Sequence, residues 1–141
     1  MLDASFDALQ KGLLVSFMDD ITISAREWLI NNLNPIAIFL YGSRASGTTT
    51  QDSDHDFLIV LSDEAYESLP GSPYTYFQRR LSEAVGSDCD TVVNSLSGFI
   101  QTSKDAPAAG LPKGSHAWQA LNRGKLLFPE LDIEAFMRTL R

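Results

Sequence analysis

Two short apolar runs joined by a polar loop constrain this chain more than anything else in it. The runs are IAIFLY, from Ile36 to Tyr41, and DFLIVL, from Asp56 to Leu61. Each is too short for a packed helix and too apolar for a surface segment, so both read as buried β-strands. The first ends in Gly42-Ser43. The second is introduced by Asp54-His55-Asp56, with ten residues separating Ser43 from Asp54. A strand that reaches a glycine can turn sharply, because glycine has no Cβ.

The turn and the aspartates suggest complementary chemistry. If Ser43 begins a helix, the N–H groups of Arg44, Ala45 and Ser46 have no partner within it and point toward an anion. Gly42, Ser43 and Arg44 are therefore the candidate phosphate-binding residues, although Gly-Ser alone is an ordinary turn. In a strand, alternate side chains share a face, so Asp54, Asp56, Leu58 and Val60 group together, opposite His55, Phe57, Ile59 and Leu61. Neighbouring carboxylates repel unless a cation joins them, and Mg²⁺ favours such oxygen ligands. The competing explanation is a solvated turn, since Asp52-Ser53-Asp54 is also turn chemistry. A third carboxylate favours the metal. Asp90 stands near the head of a third strand, Cys89 to Asn94, and would face Asp54 and Asp56 if that strand lies beside the second. Asp88 has the same parity and is the rival, but it belongs more naturally to the turn after Gly86. His55 points away from the carboxylates by parity. One cysteine and two scattered histidines make no zinc site, and no Gly-Lys-Ser/Thr marks a P-loop.

The rest of the chain supplies the cover for a small sheet. Ile21, Ala25, Trp28, Leu29 and Leu33 recur at helical spacing within a helix expected from about Leu13 to Leu33, which Asn34-Pro35 ends. Ser62 to Gly71 reads as turns. Ser72-Pro73 opens a helix whose face is Phe77, Leu81, Ala84 and Val85, with Gly86 as its stop. Part of the Gly-, Pro- and Ser-rich stretch from Ser95 to Gly114, around Leu96 to Thr102, is expected to be helical. Ser115 caps a helix through Arg123, Lys125 to Phe128 is an edge strand, and Ile133, Phe136, Met137 and Leu140 line a C-terminal helix. This order is α/β or α+β. A length of 141 residues suits a single domain, residues 1–141.

A net charge of −7 disfavours direct, sequence-independent nucleic-acid binding, which needs a basic surface. No run approaches the ~20 apolar residues of a membrane span, and no secretory leader is expected. The lone Cys89 cannot form an internal disulfide and suits a buried strand position in a reducing cytoplasm.

The pattern Gly42-Ser43-x10-Asp54-x-Asp56, with Asp90 on a later strand, resembles the nucleotidyltransferase signature of the DNA polymerase beta superfamily. The compact form GSRASGT followed by DSDHDFLIV is most similar to the minimal nucleotidyltransferases. The resemblance is dense from Phe39 to Leu61 and looser to Asn94. It implies the nucleotidyltransferase fold, a small mixed sheet of three to four strands flanked by helices. It also implies that Ser43 holds the triphosphate of ATP or another nucleoside triphosphate. Asp54, Asp56 and Asp90 would be the catalytic and metal-binding acids for two Mg²⁺ ions. The reaction would be in-line attack by a hydroxyl on the α-phosphorus, with pyrophosphate leaving. His55 departs from the pattern, because the residue between the paired aspartates is usually aliphatic.

Little chain remains after Asn94 to bind an acceptor. The acceptor is therefore expected on another molecule. Minimal nucleotidyltransferases are often antitoxins beside a HEPN-type toxin, and some transfer AMP to it. The alternatives are a binding module that neutralises a partner by contact alone, and transfer to a small molecule such as an aminoglycoside, with a homodimer supplying the missing surface.

Overall fold

A computed structural model gives the fold over residues 19–42, 45, 55–70, 73–108 and 112–140. Helix α1 (Asp20–Leu33) starts where the Asp19 carboxylate accepts the Thr22 amide. It ends where Asn34 adopts a left-handed φ of 47°. The start at Asp20 replaces the expected start near Leu13: Asp19 has extended backbone and is the side-chain cap. Residues 13–18 of the expected helix lie outside the described residues.

Strands β1 (Ala37–Tyr41) and β2 (His55–Leu61) follow the two apolar runs and pair antiparallel. Strand β3 (Cys89–Ser95) pairs parallel with β2, and β4 (Lys125–Phe128) pairs antiparallel with β1. The order β3-β2-β1-β4 makes a four-stranded mixed sheet with β4 at an edge. Between β2 and β3 run α2 (Asp63–Glu67) and α3 (Pro73–Val85). Between β3 and β4 lie α4 (Leu96–Thr102) and α5 (His116–Arg123), and α6 (Ile133–Thr139) follows β4.

Both sheet faces are buried, which explains the near-continuous apolar runs. Ile38, Leu40, Phe57, Ile59, Leu61 and Val93 pack with Ala25 and Leu29 of α1 and Phe77 and Leu81 of α3. On the other face, Phe39, Leu58 and Val60 pack with Phe99 of α4, Ala117 and Ala120 of α5, and Phe136 of α6. Phe39 stacks on Phe99 at 5.6 Å between ring centroids and meets the edge of Phe136 at 6.0 Å. Such geometry adds about 1 kcal/mol per pair beyond area burial.

Helix α2 corrects the turn expected over this stretch. Ser62 caps it through the Ala65 amide at 3.1 Å, but it buries no residue and so leaves no periodic trace in the sequence. Ala84 is exposed instead of facing the core; Leu81 and Val85 carry that face of α3. Ser72, the expected cap of α3, lies outside the described residues. Ser115 caps α5 as expected, through the Trp118 amide at 3.0 Å.

Candidate active site

Strand register sets the site. Antiparallel pairing places Tyr41 opposite Asp56, and parallel pairing places Asp90 opposite Asp56. All three have the parity of Phe39, Leu58 and Val60, so they form a row across three strands on the α4–α6 face. Neighbouring strands are about 4.8 Å apart. Carboxylates on adjacent strands at that spacing can share one divalent cation, whose oxygen ligands lie at roughly 2.0–2.6 Å. Asp56 and Asp90 are both partly exposed, so an ion can reach them from solvent. Asp88 precedes β3, is exposed and has no place in this register.

The turn after β1 crosses directly over this row. Gly42 has a φ of 75°, and a Cβ there would sit 2.4 Å from Oδ2 of Asp56 and 3.3 Å from its Cγ. Glycine is therefore favoured twice, by its backbone conformation and by the Asp56 carboxylate, which a side chain at 42 would turn aside. The donor set suits a hard cation: two carboxylates in register beneath a backbone with no side chain in the way. Among the described residues no three His, Cys, Asp or Glu side chains converge. Asp54, Ser43 and Arg44, the other expected site residues, lie outside the described residues.

Two residues join the row that sequence reasoning missed. Tyr41 is buried, and its phenol is pushed up by burial and by the nearby charges of Asp56 and Asp90. It therefore stays protonated beside the carboxylates at neutral pH. His116, the first residue of α5, is exposed, and its ring lies 5.8 Å from that of Tyr41. The start of α5 thus borders the row. Lys113, in the connection leading into α5, is exposed, as is Lys104 at the start of that connection. The antiparallel β1–β2 pairing was the signal for Tyr41: the residue before the turn glycine faces the second aspartate across the ladder.

His55 points to the opposite face, as its parity requires. It is 3% exposed and lies nearly parallel to Phe57 at 6.2 Å. Its Nε2 is 2.8 Å from Oδ2 and 3.1 Å from Oδ1 of Asp19. A carboxylate can only accept, so Nε2 carries the proton and donates. Asp19 therefore holds both the α1 terminus and the head of β2. On the same side of the sheet, Trp28, Leu33, Leu61, Phe77 and Arg80 border a cavity of about 220 Å³, away from the aspartate row. Arg79 pairs with Glu83 at 3.2 Å on the exposed side of α3, an ordinary surface contact.

Residues 24–102 match the polymerase beta nucleotidyltransferase family. No curated protein is a significant match. Among solved structures, the chain resembles a crystal structure of a toxin–antitoxin complex with AMP-PNP. That match has 21% identity over 82% of this chain and 81% of the other, with a TM-score of 0.50. It also resembles a point mutant of the toxin–antitoxin pair MntA–HpeT, at 22% identity, 87% and 83% coverage and a TM-score of 0.51. At these identities the likeness is one of fold. No helix among the described residues is long and apolar enough to cross a membrane.

Proposed function

Because the chain belongs to the polymerase beta nucleotidyltransferase family, we propose that it transfers a nucleoside monophosphate, AMP from ATP, to a hydroxyl on a partner protein. We further propose that it serves as the antitoxin of a HEPN-type toxin–antitoxin pair in the cytoplasm. The observation that carries the enzymatic part is the register of Asp56 with Asp90 beneath Gly42. The partner class is supported by the resemblance in the sequence and by the likeness to toxin–antitoxin structures, one of them containing AMP-PNP.

In this reading Asp54, Asp56 and Asp90 hold two Mg²⁺ ions, which when bound would stabilise charge on the attacking and leaving oxygens. Ser43 and Arg44, which follow Gly42 in the chain, bind the triphosphate. A carboxylate oxygen of Asp90 takes the proton of the acceptor hydroxyl. The acceptor oxygen then bonds to the α-phosphorus as the bond to the bridging oxygen breaks, and pyrophosphate leaves in line. Tyr41 stays neutral and closes the row on the β1 side. The protein's main contribution is positioning and charge neutralisation.

The test is incubation with labelled ATP, Mg²⁺ and the protein encoded beside it. Label should appear on the partner and vanish with Asp56→Asn or Asp90→Asn. Unlabelled partner, together with neutralisation that survives both substitutions, would favour binding by contact alone.

A further inference from the structure

We propose that the Asp19–His55 pair is a positioning device for the Asp56 carboxylate, holding the head of β2 from the face opposite the site. The proposal rests on the metal-dependent reading above and adds residues that do not touch metal or nucleotide. Asp56 is secured by ladders on both sides, to Tyr41 and to Asp90. His55 opens the strand with Cys89 of β3 as its ladder partner, whereas the ladder to β1 ends at Tyr41 and Asp56, so the head of β2 is held along one edge only. That head needs an anchor, because the like charges of Asp56 and Asp90 stand level on neighbouring strands and repel. His55 supplies one. Its ring is buried against Phe57, and Nε2 donates to a carboxylate that also caps α1. The cap matters, because α1 is itself fixed on the sheet through Ala25 and Leu29. The hydrogen bond therefore ties the metal-binding end of β2 to a helix docked across the same sheet.

An aliphatic residue at position 55 could fill the space but could not engage Asp19. The pair is the way this chain accommodates histidine between two metal-binding aspartates. Partners behind a metal site typically change metal affinity 10- to 100-fold when removed.

The test uses Mn²⁺ as the probe, with affinity read from the free-ion spin-resonance signal, and amide hydrogen exchange as a metal-independent readout. Asp19→Ser keeps an N-cap oxygen but is too short to reach His55, so it separates the clamp from the cap. His55→Val removes the donor, and His55→Gln restores one. Asp19→Ser and His55→Val should each weaken Mn²⁺ about 10-fold and speed exchange at the Asp56 and Phe57 amides, with His55→Gln recovering part of both. Lowered melting temperature with unchanged Mn²⁺ affinity and exchange would overturn the proposal and leave a merely structural pair. Asp56→Asn keeps the two ideas apart. If it abolishes Mn²⁺ binding while the clamp variants bind normally, the clamp fails and the nucleotidyl-transfer reading stands. If the unsubstituted protein binds no Mn²⁺, that reading fails, and exchange alone decides whether the pair holds the strand.

Discussion

Gly42→Ala and Gly86→Ala form a matched pair that isolates the contact between the turn and Asp56. The two glycines have nearly the same φ, 75° and 72°, so both alanines meet the same backbone penalty. A left-handed alanine costs about 1–2 kcal/mol, partly offset by a loss of roughly 0.4–1 kcal/mol of unfolded-state freedom. Around Gly86 a new Cβ meets nothing within 4 Å, so Gly86→Ala should cost only the difference, about 1 kcal/mol. Around Gly42 the same Cβ falls 2.4 Å from Oδ2 of Asp56, a separation real Cβ atoms essentially never show. The overlap is with the far end of a side chain, so it is relieved by turning Asp56 off its rotamer, at about 0.5–1.5 kcal/mol. Gly42→Ala should therefore be the more destabilising by about that amount in urea titrations. More tellingly, it should abolish the Mg²⁺-dependent stabilisation by ATP that Gly86→Ala leaves intact, because the displaced oxygen is a proposed metal ligand. Asp56→Ala removes the clashing atoms and leaves a Cβ at an ordinary 3.5 Å. On that background Gly42→Ala should cost no more than Gly86→Ala does alone, a coupling of roughly 0.5–1.5 kcal/mol. Equal cost for the two glycine variants, with normal Mg²⁺-ATP stabilisation of both, would refute the claim that Gly42 is there for Asp56.

Phe136→Ala empties a site that is 1% exposed and should destabilise by about 3–5 kcal/mol in denaturant, without changing Mn²⁺ affinity per folded molecule. Burial raises the Asp19 carboxyl, but the Thr22 amide, the His55 ring and the Thr22 hydroxyl together bring it below its ordinary 3.8. The stability it supplies is present above that value and is lost as pH falls through the depressed folded value, so Asp19→Asn should flatten that part of the acid unfolding curve. The raised Tyr41 phenol favours the folded state below about pH 10 and loses that contribution as pH rises through its folded value. A tyrosinate difference titration against Tyr41→Phe should show Mg²⁺ moving this ionisation downward, because the ion offsets the charges of Asp56 and Asp90.

Much of the fold was legible because the determinants were local. The strands announced themselves as apolar runs, and the caps at Ser115 and the stop at Asn34 are single-residue signals. Helix α2 was not legible, because a five-residue helix with no buried side chain has no pattern to find. The role of Asp19 was hidden by the misplaced helix start: a helix drawn from about Leu13 places Asp19 inside it, and only its extended backbone shows that it is the N-cap. That error also hid the partner of His55, which sequence parity had sent to the correct face without saying what it would meet there. Asp90 could be preferred over Asp88 by its adjacency to an apolar run, but that it stands level with Asp56 is a matter of pairing between distant segments.

The aspartate row is consequently a product of the core as much as of the motif. Side chains alternate with a period of two, so slipping β2 by one residue against its neighbours would move every one of them to the other face. Asp56 would then turn toward Leu29, Phe77 and Leu81, and Phe57 would leave that core for the partly exposed site position. Burying an unpaired carboxylate there costs several kcal/mol, and expelling the phenylalanine forfeits roughly 1.5–3 kcal/mol more. The same apolar alternation that fills two cores therefore keeps Asp56 facing Asp90. Substitutions that loosen the register, even far from Gly42, should reach the chemistry before they reach the fold.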